Sequence, residues 1–277
     1  MLKKGYVDTT GGQIHYRISN DAPGVPIVLF HATPSSSAAY EPLMRELEGT
    51  FPLIAFDTVN YGESYRTDAE PSISLISKTM IEALDGLGID RFHVYGIYTG
   101  ANIAVDLALK HPGRVMSVMA HSPNYISMEA NAYCRDTYAK SNPIHVKGTQ
   151  IIWAWNKTKD TFGESIWLNP PHSAEILHRD TVDCLRAGEN WHWASRAVYA
   201  HDLIAALKQV ECPLFLLWGT KEPMGSFAVS EQAAADLPHA RRYAHAEGGS
   251  YALESYPADF AREVTDFVRE AEKLARP

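Results

Sequence analysis

The segment Val94-Tyr95-Gly96-Ile97-Tyr98-Thr99-Gly100, followed by Ala101-Asn102-Ile103-Ala104-Val105, has the frame of a nucleophile elbow with a tyrosine at the nucleophile position. In G-x-S-x-G a strand turns sharply into a helix, so a serine hydroxyl stands over the helix N-terminus, where backbone N–H groups can hold an oxyanion. Here both glycines are present and the serine is not. A phenol has a pKa near 10, so about one molecule in a thousand is ionised at neutral pH, and a helix N-terminus offsets no more than about 1 kcal/mol of that. The ring also carries its oxygen well past the place of a serine oxygen. Acidity and reach both argue against Tyr98 as an acyl acceptor. Three roles stay open: a filler of the old nucleophile pocket in a binding protein, an acid or base in a lyase, hydratase, isomerase or cyclase type of reaction, or a bystander to hydrolysis by histidine-activated water.

Twelve histidines bear on that choice. His121 follows the strand after the elbow helix, at a carboxyl end of the sheet where ligands bind, and is a catalytic candidate. His192 and His201 lie in the aromatic runs Asn190-Trp191-His192-Trp193 and Tyr199-Ala200-His201-Asp202, with Trp191 and His192 placed to cover a pocket. His245 reads as a surface or capping residue near the end of the last strand. No H-x-H, H-E-x-x-H or D-x-D-x-D-G spacing appears, nor a phosphate-binding glycine loop, so neither metal nor cofactor is expected.

The bulk properties narrow the partners. Lys and Arg number 25 against 33 Asp and Glu, a net charge of −8, with no basic run that could follow a phosphate backbone, which argues against nucleic acid. Cys134, Cys184 and Cys212 lack C-x-x-C spacing and indicate neither a disulfide framework nor zinc. No apolar run approaches a membrane span, and the N-terminal residues lack an apolar targeting core. The expected setting is soluble and cytoplasmic, with a small-molecule ligand and a homodimer left open.

The elements that must position these residues follow from hydrophobic patterning. Tyr6–Thr9 and Gln13–Ile18 alternate around Gly11-Gly12 as a hairpin. Pro26–His31, Leu53–Asp57 and Phe92–Gly96 are continuous apolar runs, as in strands buried on both faces. Between them lie helical stretches at Ala38–Glu48, Ser74–Leu87 and Thr99–Lys110, an alternation that predicts a parallel sheet covered on both sides. From Asn124 to Val210 strand signals stop, and helices are expected near Ile126–Ser141, Ala174–Ala187 and His192–Lys208. The strand pattern returns at Pro213–Gly219, then a helix over Phe227–Leu237, a strand at Ala240–Ala244 and an amphipathic helix over Tyr256–Ala275.

Five motifs in this order resemble the α/β-hydrolase fold, in its lidded branch of epoxide hydrolases, haloalkane dehalogenases and esterases. His31-Ala32-Thr33-Pro34 is similar to the oxyanion loop of that family, Asp57-Thr58-Val59-Asn60-Tyr61-Gly62-Glu63-Ser64 to its D-x-P-G-x-G-x-S turn, and Gly96–Gly100 to its elbow. Leu217–Pro223 resembles the acid loop, and Glu247-Gly248-Gly249-Ser250-Tyr251 the histidine loop. The resemblance implies an eight-stranded, mostly parallel α/β sheet with helices on both faces, a core of residues 1–123 and 211–277, and a helical lid of residues 124–210. Position by position it makes the triad Tyr98, Glu222 and Ser250, which excludes a Ser-His-Asp mechanism. It gives the N–H groups of Thr33 and Thr99 an oxyanion role and His31 a largely structural one. Trp153, Trp155, Trp167, Trp191, Trp193, Tyr133 and Tyr138 would cover an apolar ligand. The implied activity is on a small carbonyl, ester or lactone-like molecule, with non-hydrolytic acid/base chemistry and ligand binding without turnover as alternatives.

Overall fold

The computed structural model describes residues 1–161, 172–222 and 227–274. Eight strands form one sheet in the order β1-β2-β4-β3-β5-β6-β7-β8: β1 Lys3–Thr9, β2 Gly12–Ser19, β3 Ile27–Phe30, β4 Leu53–Phe56, β5 Phe92–Ile97, β6 Val115–His121, β7 Leu214–Gly219 and β8 Arg241–His245. The β1/β2 and β2/β4 pairs are antiparallel and all others parallel. Strands β3, β4 and β5 are buried at every residue, because helices cover both faces.

The helices are α1 Glu41–Glu46, α2 Ile73–Gly86, α3 Thr99–Lys110, α4 Met128–Thr137, α5 Thr149–Thr161, α6 His172–Ala187, α7 Trp193–Tyr199, α8 Leu203–Leu207, α9 Phe227–Asp236, α10 Ala252–Ser255 and α11 Pro257–Leu274. Strand alternation divides the core in two. Val28, Phe30, Val94 and Val118 join α2 and α3 on one face. Ile27, Leu29, Tyr95 and Met119 join α1 and α11 on the other, where the buried residues Phe260, Val264, Phe267, Val268 and Ala271 of α11 recur at helical spacing.

Two expected helices differ, and one helix was not expected. The helix read over Ala38–Glu48 is a 3-10 turn, Ser37–Tyr40, followed by α1, because Ser36 caps the turn and Pro42 stands in the first turn of α1. The helix read over His192–Lys208 is broken at His201-Asp202, where the Asp202 side chain accepts from Ala205 N–H and starts α8. Helix α5 carries little sequence signal, since its β-branched and tryptophan residues are weak helix formers.

Between β6 and β7 the described residues carry α4 to α8 and no strand. One side of this insertion is tied down. The Tyr61 hydroxyl donates to Trp191 O at 3.0 Å and accepts from Ala194 N–H at 2.9 Å, Arg66 donates to the carbonyls of Arg186 and Ala187, and Ser35 and Ser36 donate to Asp180 and Asp183 on α6. Among the described residues no helix is long and apolar enough to cross a membrane.

Candidate functional site

The turn from β5 into α3 is built by two glycines with no room for a side chain. A Cβ on Gly96 would lie 2.0 Å from Gly100 O, and one on Gly100 would lie 1.8 Å from Phe30 O. That close approach forces Tyr98 into φ 49°, ψ −104°, sparsely populated for a non-glycine residue. The strain puts the phenol over the first turn of α3, whose leading N–H groups lack intrahelical acceptors. Asn102, fully buried one turn on, donates to Tyr98 O at 3.2 Å and accepts from His201 Nδ1 at 2.8 Å, bracing the turn from below.

Glu222, in the loop after β7, receives the phenol. The Tyr98 hydroxyl donates to Glu222 Oε2 at 3.2 Å, while Ser122 Oγ and Gly219 N–H donate to Oε1 at 2.5 and 3.0 Å. Burial pushes the Glu222 carboxyl up to about 7, and the three hydrogen bonds, each favouring the carboxylate, only moderate it. Burial and then the charge of Glu222 hold the Tyr98 phenol well above its ordinary range. The pair is therefore a neutral phenol donating to a carboxyl poised near neutrality.

Ser250 is buried beside Tyr98, and its hydroxyl makes no hydrogen bond of ordinary geometry. Opposite, the Thr33 and Thr99 hydroxyls lie 2.8 Å apart and join the loop after β3 to the start of α3. His31 sits behind this loop: Nε2 accepts from Thr58 N–H at 3.0 Å, Nδ1 lies 2.8 Å from Ala32 O, and burial lowers its pKa, leaving a neutral ring bonded at both nitrogens. Asp57 organises the neighbouring turn. Burial works against its ionisation, but His15, the Ser37 N–H and the Glu63 N–H hold its carboxyl well below the usual range. Asn60 takes φ 78°, and its side chain accepts from Thr67 N–H at 2.7 Å, so asparagine serves where the family motif has glycine.

A cavity of about 30 Å³ adjoins Tyr98, with Thr33, Ser35, Asp180, Ser250, Tyr251 and Glu254 in its wall. Ile176 and Leu177 of α6 pack with Tyr98 and Tyr251 beside it. The wall contains charges that sequence reasoning missed. Arg179 forks onto Glu254 through both terminal nitrogens and onto Asp180 at 2.6 Å, and the Tyr251 hydroxyl donates to Asp180 Oδ2 at 2.7 Å. Charged residues at inward positions of α6, beside Ile176 and Leu177, were the available signal.

The expected site residues fall into two groups. Tyr98, Glu222, Ser250, Thr33 and Thr99 come together, with His31 directly behind. His121 is fully buried beneath the site, its Nε2 3.9 Å from Glu222 Oε1, and is outside the cavity wall. Trp191 and His192 pack with Trp153 where the insertion joins the core, also outside that wall. Tyr133, Tyr138 and Trp155 are 64%, 60% and 38% exposed and give the cavity no cover. Trp167 lies outside the described residues. His245 is buried, tilted against Tyr256, stacked on Phe260 and bonded to Asp259, where a surface or capping position was expected. Among the described residues there is no group of three His, Cys, Asp or Glu side chains arranged to hold a metal ion.

A protein-family model described as "alpha/beta hydrolase fold" matches residues 25–257. The curated protein "Putative carbamate hydrolase RutD" of a Caulobacter species is 29% identical over 96% of this chain and 98% of its own length. "Carboxylesterase YbfK" of Bacillus subtilis is 24% identical over 79% of this chain and 71% of its own. The crystal structure of a hydrolase from Pseudomonas aeruginosa superposes with a TM-score of 0.80 at 17% identity, covering 96% of this chain and 98% of that one, a likeness of fold.

Proposed function

The chain belongs to the α/β-hydrolase fold family, and within it we propose an enzyme that acts on a small carbonyl, ester or lactone-like substrate through a Tyr98–Glu222 proton relay, without an acyl-enzyme. The observation that carries this reading is the partly buried 3.2 Å hydrogen bond from the phenol at the cavity wall to a carboxylate behind it. In the forward step, water attacks the substrate carbonyl and gives a proton to the Tyr98 oxygen as the phenol proton passes to Glu222. The oxyanion that forms is received by the Thr33 and Thr99 N–H groups. Collapse breaks the bond to the leaving group, which takes the proton back along the same path. Neither the phenolate nor a serine nucleophile is required, which suits the high pKa of the phenol and the absence of a histidine at position 250. Relatives named as a carbamate hydrolase and a carboxylesterase support a carbonyl substrate.

Entry requires movement. A cavity of about 30 Å³ holds a water molecule or two, against roughly 300–1,000 Å³ for small-ligand pockets, so its wall, Asp180 of α6 and Tyr251 included, must move apart before substrate can sit on Tyr98. The same small volume favours a second reading, in which Tyr98 plugs the pocket and the protein does not turn over. A panel of activated esters, lactones and carbamates, run on the wild type and Tyr98→Phe, separates the two. Turnover lost in the variant supports the relay. Equal turnover in both removes Tyr98 from the chemistry, and none in either favours the plug.

A further inference from the structure

We propose that His121 is a positioning residue for Glu222, its buried Nε2–H setting the proton affinity of that carboxylate from the Oε1 side while Tyr98 acts on Oε2. The inference rests on the relay reading above and assigns the relay a third member.

The tautomer comes first. His121 is the last residue of β6, fully buried and stacked on Phe260 with ring centroids 5.0 Å apart. The Tyr95 hydroxyl lies 2.6 Å from its Nδ1. Burial keeps Tyr95 protonated, and among the described residues its hydroxyl has no other hydrogen-bond partner, so it donates and Nδ1 accepts. Burial, and secondarily His245, pushes the His121 ring down to about 3, so it is neutral and carries its single proton on Nε2. That N–H has no hydrogen-bond partner, a costly state for a buried donor. Glu222 Oε1 stands 3.9 Å away, outside hydrogen-bond reach but close enough for the N–H dipole to favour the carboxylate.

The surroundings leave His121 little competition. Glu222 faces the Tyr98 and Ser122 hydroxyls and the Gly219 N–H, with Ser250 beside Tyr98. Among the described residues no lysine or arginine forms an ion pair with it, and His121 is the one histidine that approaches it within 4 Å. His121 in turn faces Tyr95 from β5, His245 from β8, Phe260 from α11 and Glu222 after β7. A histidine thus adjoins the acid although position 250 carries none. It stands beneath the acid, where it tunes the proton acceptor and does not touch substrate.

Difference infrared spectroscopy of the carboxyl C=O stretch tests this without a known substrate, the Glu222 band being the one missing in Glu222→Gln. The wild type is expected to titrate near pH 7. His121→Phe, which keeps the stack on Phe260, is expected to raise that midpoint by roughly a few tenths of a pH unit, and His121→Gln, which keeps an N–H donor, to restore most of it. Tyr95→Phe frees the tautomer and moves the midpoint in the same direction by less. A midpoint unmoved in both His121→Phe and Tyr95→Phe overturns the proposal and leaves the relay standing. A wild-type midpoint near 4.5 overturns the relay itself. If His121→Phe fails to fold, as judged by circular dichroism, Tyr95→Phe decides.

Discussion

Replacing Glu222 by glutamine is expected to stabilise the protein at pH 8 and leave its stability nearly unchanged at pH 5. The carboxyl titrates near 7 when folded and near 4.5 when unfolded. Below about pH 4.5 it is protonated in both states and contributes nothing. Between 4.5 and 7 the unfolded chain loses its proton first, so stability falls as pH rises, and above 7 the loss is complete. At about 1.4 kcal/mol per pH unit, the ionised carboxylate costs the fold about 3 kcal/mol at pH 8. Glutamine lifts that cost without breaking the local bonds. Its carbonyl accepts from Ser122 and Gly219, and its amide donates to the Tyr98 oxygen, so the change at pH 5 stays under about 1 kcal/mol. Burial also raises Asp183 to about 6 and Glu254 above its usual range, so the wild-type profile falls for several reasons. Those groups remain in the variant, and the difference between the two proteins isolates Glu222. Urea denaturation at pH 5, 6, 7 and 8, with slopes held comparable, reads it. A difference that grows with pH to about 3 kcal/mol is expected, and two parallel profiles would mean that Glu222 ionises equally in the folded and unfolded chain.

Two further substitutions test the scaffold. Gly100→Ala would place a methyl group 1.8 Å from the Phe30 carbonyl oxygen, so α3 must retreat by more than an ångström and the fold should lose about 3 kcal/mol, read as a lowered denaturation midpoint. Wild-type stability in that variant would contradict the elbow geometry. Tyr61→Phe removes the hydroxyl that bridges Trp191 O and Ala194 N–H, leaving two buried backbone groups unpaired at a cost of about 2 kcal/mol, with faster proteolysis within residues 124–210 as the local readout.

The sheet was legible because its central strands are short apolar runs, such as Ile27–Phe30 and Leu53–Phe56, that alternate with helical periodicity and sharp turns. The elbow was legible because Gly96 and Gly100 are sterically required. Tyr98, Glu222 and Ser250 were placed by motif position alone. What could not be read depends on contacts distant in sequence. The fork from Arg179 onto Glu254 joins residues 75 positions apart, and nothing local distinguishes it from a solvated charge run. His121 was correctly placed at a strand end, but its depth follows from Phe260 packing over it from the last helix. The aromatic-rich insertion misled for the opposite reason. Tyr133 and Tyr138 resemble pocket lining in composition, yet they lie on its outer surface.

The proposed relay requires Glu222 to accept the proton that Tyr98 passes on. The most direct measurement is the pH dependence of kcat/KM for the wild type and Glu222→Gln, on any ester or lactone the wild type turns over. Activity is expected to rise with pH through about 7 in the wild type and to fall by about 10²–10⁴-fold, without that limb, in the variant. A variant with wild-type kcat/KM and an unchanged limb would contradict the relay.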